Sequence, residues 1–373
     1  MSMLTRAMKF VVLLFVAGFY LMLISANYLG LLYSLYIVPR NILLLNPSLD
    51  FGLFVPYYIH LFTLSGDFVL AYYFFMVFLL FFGLIFLVWL NWNGCLKEIR
   101  ERRHVLTASH NPLLIISEVF CVIVFITIVY NLLLSAGNVT PETPEFETEP
   151  IWENMLLLAN ASIYEEFAVR VVLLALPLFA AQFIVSRKVN FKAFFTGGQK
   201  LDWISGILVF ISSLIFGLAH ALYGWDIYKV LPAFVAGLGF GYVYLKGGIF
   251  APILMHFAFD YMDITYMLAV KEILTPAAEL LAMPGIFVEV VILMFAIAVA
   301  PIILFAYLKK FFEKMNLVSS PRASEDTRRQ VEGGLVSLQF SVGTCPRCGA
   351  TDAKYIDGNT LECLRCGEKR KMG

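Results

Sequence analysis

The chain has 373 residues, 60% of them hydrophobic and only 14% charged, against ~25% charged in an average soluble domain. That balance excludes an ordinary soluble globular protein. Lys plus Arg and Asp plus Glu are equal at 27 each, so the net charge is uninformative and its distribution carries the information.

About eight stretches are long and apolar enough to span a bilayer at ~20 residues per crossing. In chain order they are Phe10–Tyr33, Phe68–Leu90, Leu113–Ala136, Met155–Ile184, Trp203–Tyr223, Val230–Leu245, Ile249–Leu268 and Leu281–Leu308. The first follows Arg6 and Lys9 but is too long for a signal peptide and has no clear small-residue cleavage site, so it reads as a retained helix. Gly52–Leu64 reads as an interfacial or re-entrant piece. The expected fold is an all-α polytopic membrane protein with a buried polar site.

Lys97, Arg100, Arg102 and Arg103 lie between the second and third stretches, and Arg187, Lys188, Lys192 and Lys200 between the fourth and fifth. Lys309, Lys310 and Lys314 follow the eighth. Between the third and fourth, Gly137–Asn154 holds Glu142, Glu145, Glu147, Glu149 and Glu153 and no Lys or Arg. The positive-inside rule then puts both termini in the cytoplasm of an integral cell-membrane protein. The bilayer is its first partner.

After the last stretch the composition changes. Residues 316–341 are rich in Ser, Arg and Glu, with Gly333-Gly334, and read as a flexible linker. They separate a transmembrane domain, 1–315, from a small domain at 342–373. That domain carries Cys345-Pro-Arg-Cys348-Gly and Cys363-Leu-Arg-Cys366-Gly, with fourteen residues between the pairs. Two such knuckles offer four thiolates to one tetrahedral ion, the pattern of a four-cysteine zinc ribbon. A domain of ~30 residues buries too little to fold alone, so the metal supplies the folding free energy. Zinc is the expected ion, ahead of a rubredoxin-like iron, and a reducing cytoplasm disfavours disulfides. Arg347, Arg365, Lys369, Arg370 and Lys371 make the ribbon basic. A protein partner or anionic lipid headgroups suit it better than nucleic acid.

The fourth stretch contains Glu165-Glu166-x-x-x-Arg170. Charges at that depth cost ~2.5–3.5 kcal/mol each on insertion scales, so they default to a functional reading. Glu166 and Arg170 are spaced i, i+4 and can pair on one side of a helix, and in a low dielectric they must. Adjacent residues point ~100° apart in a helix of 3.6 residues per turn, which leaves Glu165 without a helical partner and free to act as a general base. Two later stretches each bring one histidine: Phe216-x-x-x-His220 and His256-x-x-x-Asp260. Asp260, one turn from His256, can fix its tautomer or bond a ligand.

These three motifs, in order and in separate spans, resemble the CPBP family of CAAX-prenyl-processing type II proteases and bacteriocin-processing or immunity proteins. The resemblance covers residues 155–268, including Gly237-x-x-x-Gly241 and Gly247-Gly248. It implies an intramembrane endopeptidase acting on a membrane-associated or prenylated peptide. Glu165 and His220 would activate a water, with Glu166 and Arg170 in support, and His256 and Asp260 would stabilise the oxyanion. Prenyl-processing members usually have Asn where this chain has Asp260, and an ionised aspartate cannot donate to an oxyanion. Aspartyl, serine and H-E-x-x-H signatures are absent from the sequence. Other readings are a zinc site at Glu165, His220, His256 and Asp260, a non-catalytic scaffold or immunity protein, and a proton-coupled transporter. A metal-free mechanism is expected.

At 1.5 Å rise per residue, Glu165 falls ~30 Å and His220 ~25 Å from the inner ends of their helices, but His256 only ~10 Å. Either the helices begin deeper, or the substrate is not a cytoplasmic CAAX tail.

Overall fold

In the computed structural model the described residues are 3–54, 57–101, 109–142, 148–222, 224–270 and 276–314, with short strands at 338–339, 352–357, 360–363 and 369–371. Met1–Tyr307 form one compact unit and Leu308–Gly373 a second.

The first unit is a helical bundle. It opens on α1 (Met3–Met22), a π-helical segment Leu23–Tyr28 and α2 (Leu29–Leu45), which run on as one long helix. Helix α2 stops where Asn46 adopts a left-handed conformation (φ 49°) ahead of Pro47, a pairing that ends helices because proline cannot continue them. Next come strands β1 (Ser48–Phe54) and β2 (Tyr58–Ser65), then α3 (Asp67–Glu101) and α4 (Pro112–Ala136). Asn111 caps α4 by accepting from the Leu113 amide, with Pro112 in the first turn, where its missing N–H costs nothing. The next long run joins α5 (Ile151–Glu166), a second π-helical segment Phe167–Ala175 and α6 (Leu176–Ser186). The short α7 (Lys192–Thr196) leads to α8 (Trp203–His220), started by a reciprocal Asp202–Ser205 capping box. A 3₁₀ turn, Ile227–Lys229, opens α9 (Val230–Gly247), followed by α10 (Phe250–Val270) and α11 (Pro276–Lys314).

Seven helical runs among the described residues are long and apolar enough to cross a membrane. The remaining expected stretch is α10, a 21-residue helix whose polar residues set it apart. Ala251, Leu254, Met255, Phe257, Ala258 and Tyr261 on it are all buried, so α10 is the central helix. Asn27, in the first π-helical segment, donates to the carbonyls of Phe257 and Ala258 at 3.2 and 3.0 Å. Tyr261 donates to the carbonyl of Met155 on α5 at 3.0 Å. Helices in lipid gain little from apolar burial against one another, so such bonds and close packing fix their positions. By contrast, Phe68, Phe75, Phe78, Ile85 and Trp89 on α3 lie exposed, as expected of a lipid-facing surface.

The structure replaces the re-entrant piece at Gly52–Leu64 with an antiparallel hairpin. Phe51 pairs Phe62, Leu49 pairs Leu64, and the register shifts between Phe51 and Gly52. The alternation of Leu49, Asp50 and Phe51 is the period-two signal of a strand, outweighed by reading the segment only for its apolarity.

In the second unit, β3 (Leu338–Gln339), β4 (Asp352–Asp357), β5 (Thr360–Cys363) and β6 (Lys369–Lys371) form an antiparallel sheet in sequence order. Strand β3 falls inside the stretch read as a linker and pairs Ala353 and Asp352.

Candidate active site

The site is built on α5 and the π-helical segment that follows it, with α8, α9 and α10. Gly237 and Gly241 set the α8–α9 distance: a Cβ at the first would lie 3.0 Å from the Ser213 side chain, and at the second 2.8 Å from Val209. Only glycines allow that approach, the small-residue packing of membrane helices. It brings Phe216 of α8 and Phe240 of α9 to 6.3 Å between ring centroids.

The Arg170 guanidinium lies 5.5 Å from the centroid of Phe216 and 5.7 Å from that of Phe240. Its Nε donates to Glu166 Oε2 at 2.9 Å, and both side chains are fully buried. The other carboxylate oxygen, Glu166 Oε1, lies 3.1 Å from His256 Nδ1. A carboxylate held by arginine can only accept, so the His256 Nδ1–H donates to it. With Nδ1 so engaged, His256 Nε2 is turned towards two further carboxylates, Asp260 Oδ2 at 3.4 Å and Glu165 Oε2 at 3.9 Å. Phe240 stacks on the His256 ring at 4.9 Å and 23°, which prevents the imidazole from turning away. Ser162 donates to Asp260 Oδ2 at 3.0 Å.

Five of the six residues singled out in the membrane stretches thus meet around one imidazole. Glu165 and Glu166 do not share a helix face, yet they flank the same ring from opposite nitrogens. Glu165 Oε2 is buried without a hydrogen-bond partner among the described residues, although its side chain is 35% exposed overall. It is therefore the most exposed of the three carboxylates in the cluster, and it keeps an uncommitted acceptor.

His220 stands slightly apart. Its Nδ1–H donates to the Phe216 carbonyl at 2.9 Å, leaving Nε2 as the lone-pair nitrogen of the neutral ring. No ion pair within 4.0 Å joins it to Glu165 among the described residues; the imidazole at that range is His256. The Phe216 ring spans the gap, 4.7 Å from His220 and 6.1 Å from His256. The disagreement in depth is therefore not realised. The run Ile151–Ser186 has 36 residues, nearly twice a bilayer crossing, so counting from its end overstated how far Glu165 lies from His256.

Sequence reasoning missed Ser162 and Phe240. Ser162 had a signal, since it sits three residues before Glu165 on the same helix. Phe240 lies inside the glycine-marked stretch. Glu118, another buried carboxylate, belongs to a separate network with Ser109 (2.7 Å) and Tyr307 (3.0 Å). No group of three or more His, Cys, Asp or Glu among the described residues is arranged to hold a metal ion. Cys345, Cys348 and Cys366 lie outside the described residues, and Cys363 ends β5.

A polytopic helical membrane protein with an acid–imidazole cluster buried among its helices is the class that this fold and site define. Residues 147–262 match the family described as type II CAAX prenyl endopeptidase Rce1-like, which supports the resemblance to the CPBP family. All six site residues fall within the match, which supports a CAAX-type intramembrane endopeptidase in general terms. No curated protein and no solved structure matches the chain.

Proposed function

We propose that the chain hydrolyses a peptide bond in a membrane-associated or prenylated peptide, with Glu165 as the base that activates water. The observation that carries this reading is Glu165 Oε2, buried without a hydrogen-bond partner among the described residues and facing His256 Nε2 at 3.9 Å, an acceptor uncommitted to any protein donor and so open to a water. Glu165 takes the proton, assisted by His220 through its lone-pair Nε2, and the hydroxide attacks the scissile carbonyl carbon. The carbonyl oxygen becomes an oxyanion on the side of His256 and Asp260. Collapse of the tetrahedral species expels the amine, which receives the proton held by Glu165. Glu166 and Arg170 hold the His256 ring in place. Comparing membrane proteomes of cells carrying the native chain or Glu165→Ala tests the reading. Uncut membrane peptides should accumulate in the variant, and identical peptide profiles would refute it.

The second unit is proposed to be a zinc ribbon. In sequence, Cys345 and Cys348 come between β3 and β4, Cys363 ends β5 and Cys366 follows it. Four cysteines complete a zinc shell with no open position for chemistry. Removing residues 316–373 should therefore remove one tightly bound zinc per chain and leave peptide cleavage intact in phenanthroline. Elemental analysis and a cleavage assay check both halves. A stoichiometric metal in the truncated protein, with activity lost on chelation and restored by zinc, would replace the glutamate–water mechanism by a metal site at Glu165, His220, His256 and Asp260. Cytoplasmic termini, from the distribution of Lys and Arg, are part of the same proposal.

A further inference from the structure

Helix direction sorts the ends of the bundle into two faces. Helix α3 leaves the β1–β2 hairpin and ends at Lys97 and Arg100. There Asn111, at the start of α4, donates its amide to Glu98 at 2.7 Å and its side chain to the Asn91 carbonyl at 3.0 Å. Helix α4 then returns to the face of the hairpin and ends at Ala136, ahead of the acidic stretch Gly137–Asn154. Helix α8 starts behind Lys200 and the short α7 with Lys192. The amides of Gly198 and Gln199, between α7 and α8, donate to the carbonyls of Lys246 and Leu245 at the end of α9, at 3.2 and 2.8 Å. One face therefore gathers basic residues, and the other gathers the hairpin and the acidic stretch.

The acid–imidazole cluster borders the second face. His220 is the last residue of α8, which is 18 residues long. The turn that follows it is bonded to the acidic stretch. Asp226 accepts from the Glu142 amide at 2.7 Å, and Tyr130, near the end of α4, donates to the Tyr228 carbonyl at 2.9 Å. Trp225 of that turn lies 6.4 Å from the His220 ring. Tyr164, which precedes Glu165, donates to the hairpin carbonyl of Gly52 at 2.7 Å, and its ring lies 4.9 Å from that of Phe51. Towards the basic face the way is closed. Arg170 lies beyond Glu166 on the run towards Arg187, and Phe216 lies one turn before His220. Both are buried, with the buried Phe240 ring beside the guanidinium. Glu165 is by contrast partly exposed.

We propose that the site takes its substrate from the face that carries the hairpin and the acidic stretch, opposite the Lys- and Arg-rich loops. With both termini in the cytoplasm, that face is the outer one. The substrate is then a peptide held at the outer surface of the membrane, not a prenylated tail presented in the cytoplasm. The inference rests on the peptidase reading and the cytoplasmic termini given above.

The test is cysteine labelling in cells that express the full-length chain. Glu165→Cys and His220→Cys report the site, Glu142→Cys the acidic face and Lys192→Cys the basic one. A membrane-impermeant quaternary-ammonium methanethiosulfonate is applied to intact cells and to inverted membrane vesicles. Peptide mass spectrometry then identifies the labelled residue, so native cysteines do not interfere. The site cysteines should label at least about tenfold faster on the side where Glu142→Cys labels, because a permanently charged reagent does not cross the hydrocarbon core. Intact cells are expected to be that side. Labelling of the site from the Lys192→Cys side, or from neither side while both markers react, would overturn the proposal. Glu142→Cys reacting only in inverted vesicles would overturn the outer placement and with it the substrate class. If one site variant fails to fold, the other decides. A second arm offers an impermeant peptide to the native chain, and cleavage by inverted vesicles but not by intact cells overturns the proposal as well. If the cysteines label as expected and no peptide is cleaved from either side, the peptidase reading fails and the access route stands.

Discussion

Replacing Glu165 with glutamine is expected to abolish peptide cleavage in a protein that remains folded and monodisperse in detergent. The amide matches the carboxylate in shape but cannot take a proton from water, and a positioned base alone contributes ~10²–10⁴-fold to rate. The fold should tolerate the change because Glu165 makes no hydrogen bond on which packing depends: its Oε2 is unpartnered among the described residues, and it lies outside the Glu166–Arg170 pair. A cleavage assay and thermal unfolding on the same preparation check the two halves. Cleavage within tenfold of the native rate would remove Glu165 from the chemistry.

Arg170→Met and Glu166→Gln should behave in the opposite way, failing in stability before they fail in rate. Both side chains are fully buried and bonded at 2.9 Å, and stranding one member of such a pair costs ~3–5 kcal/mol. Against a total stability of ~5–15 kcal/mol, that is enough to lower Tm sharply or prevent purification. The double variant, with both charges removed, should be more stable than either single one, since no stranded charge remains. Equal loss of fold in Glu165→Gln and Arg170→Met would erase the division between a chemical carboxylate and a supporting one.

Much of this site is legible in the sequence because membrane helices penalise charge so strongly. Glu165, Glu166, Arg170, His220, His256 and Asp260 stand out from an apolar background, and i, i+4 spacing alone pairs Glu166 with Arg170. What spacing cannot give is how separate helices meet. That both glutamates flank His256 depends on how α5 packs against α10, and the packing of Phe216 against Phe240 depends on how closely α8 and α9 approach at Gly237 and Gly241. The hairpin at Ser48–Ser65 is hidden because its apolar content resembles a membrane segment.

The Glu166–Arg170 pair also bears on how the chain enters its membrane. Both members lie on one helical run, four residues apart, so that run carries its own counter-charge as it leaves the ribosome and can partition before any later helix exists. Glu165 has no such companion, because His256, the imidazole it faces, is encoded on a segment synthesised afterwards. The acid–imidazole cluster is therefore completed only when α9 and α10 have inserted. A nascent chain thus holds an incomplete set of these groups until α10 (Phe250–Val270) has been made, more than two thirds of the way along its 373 residues.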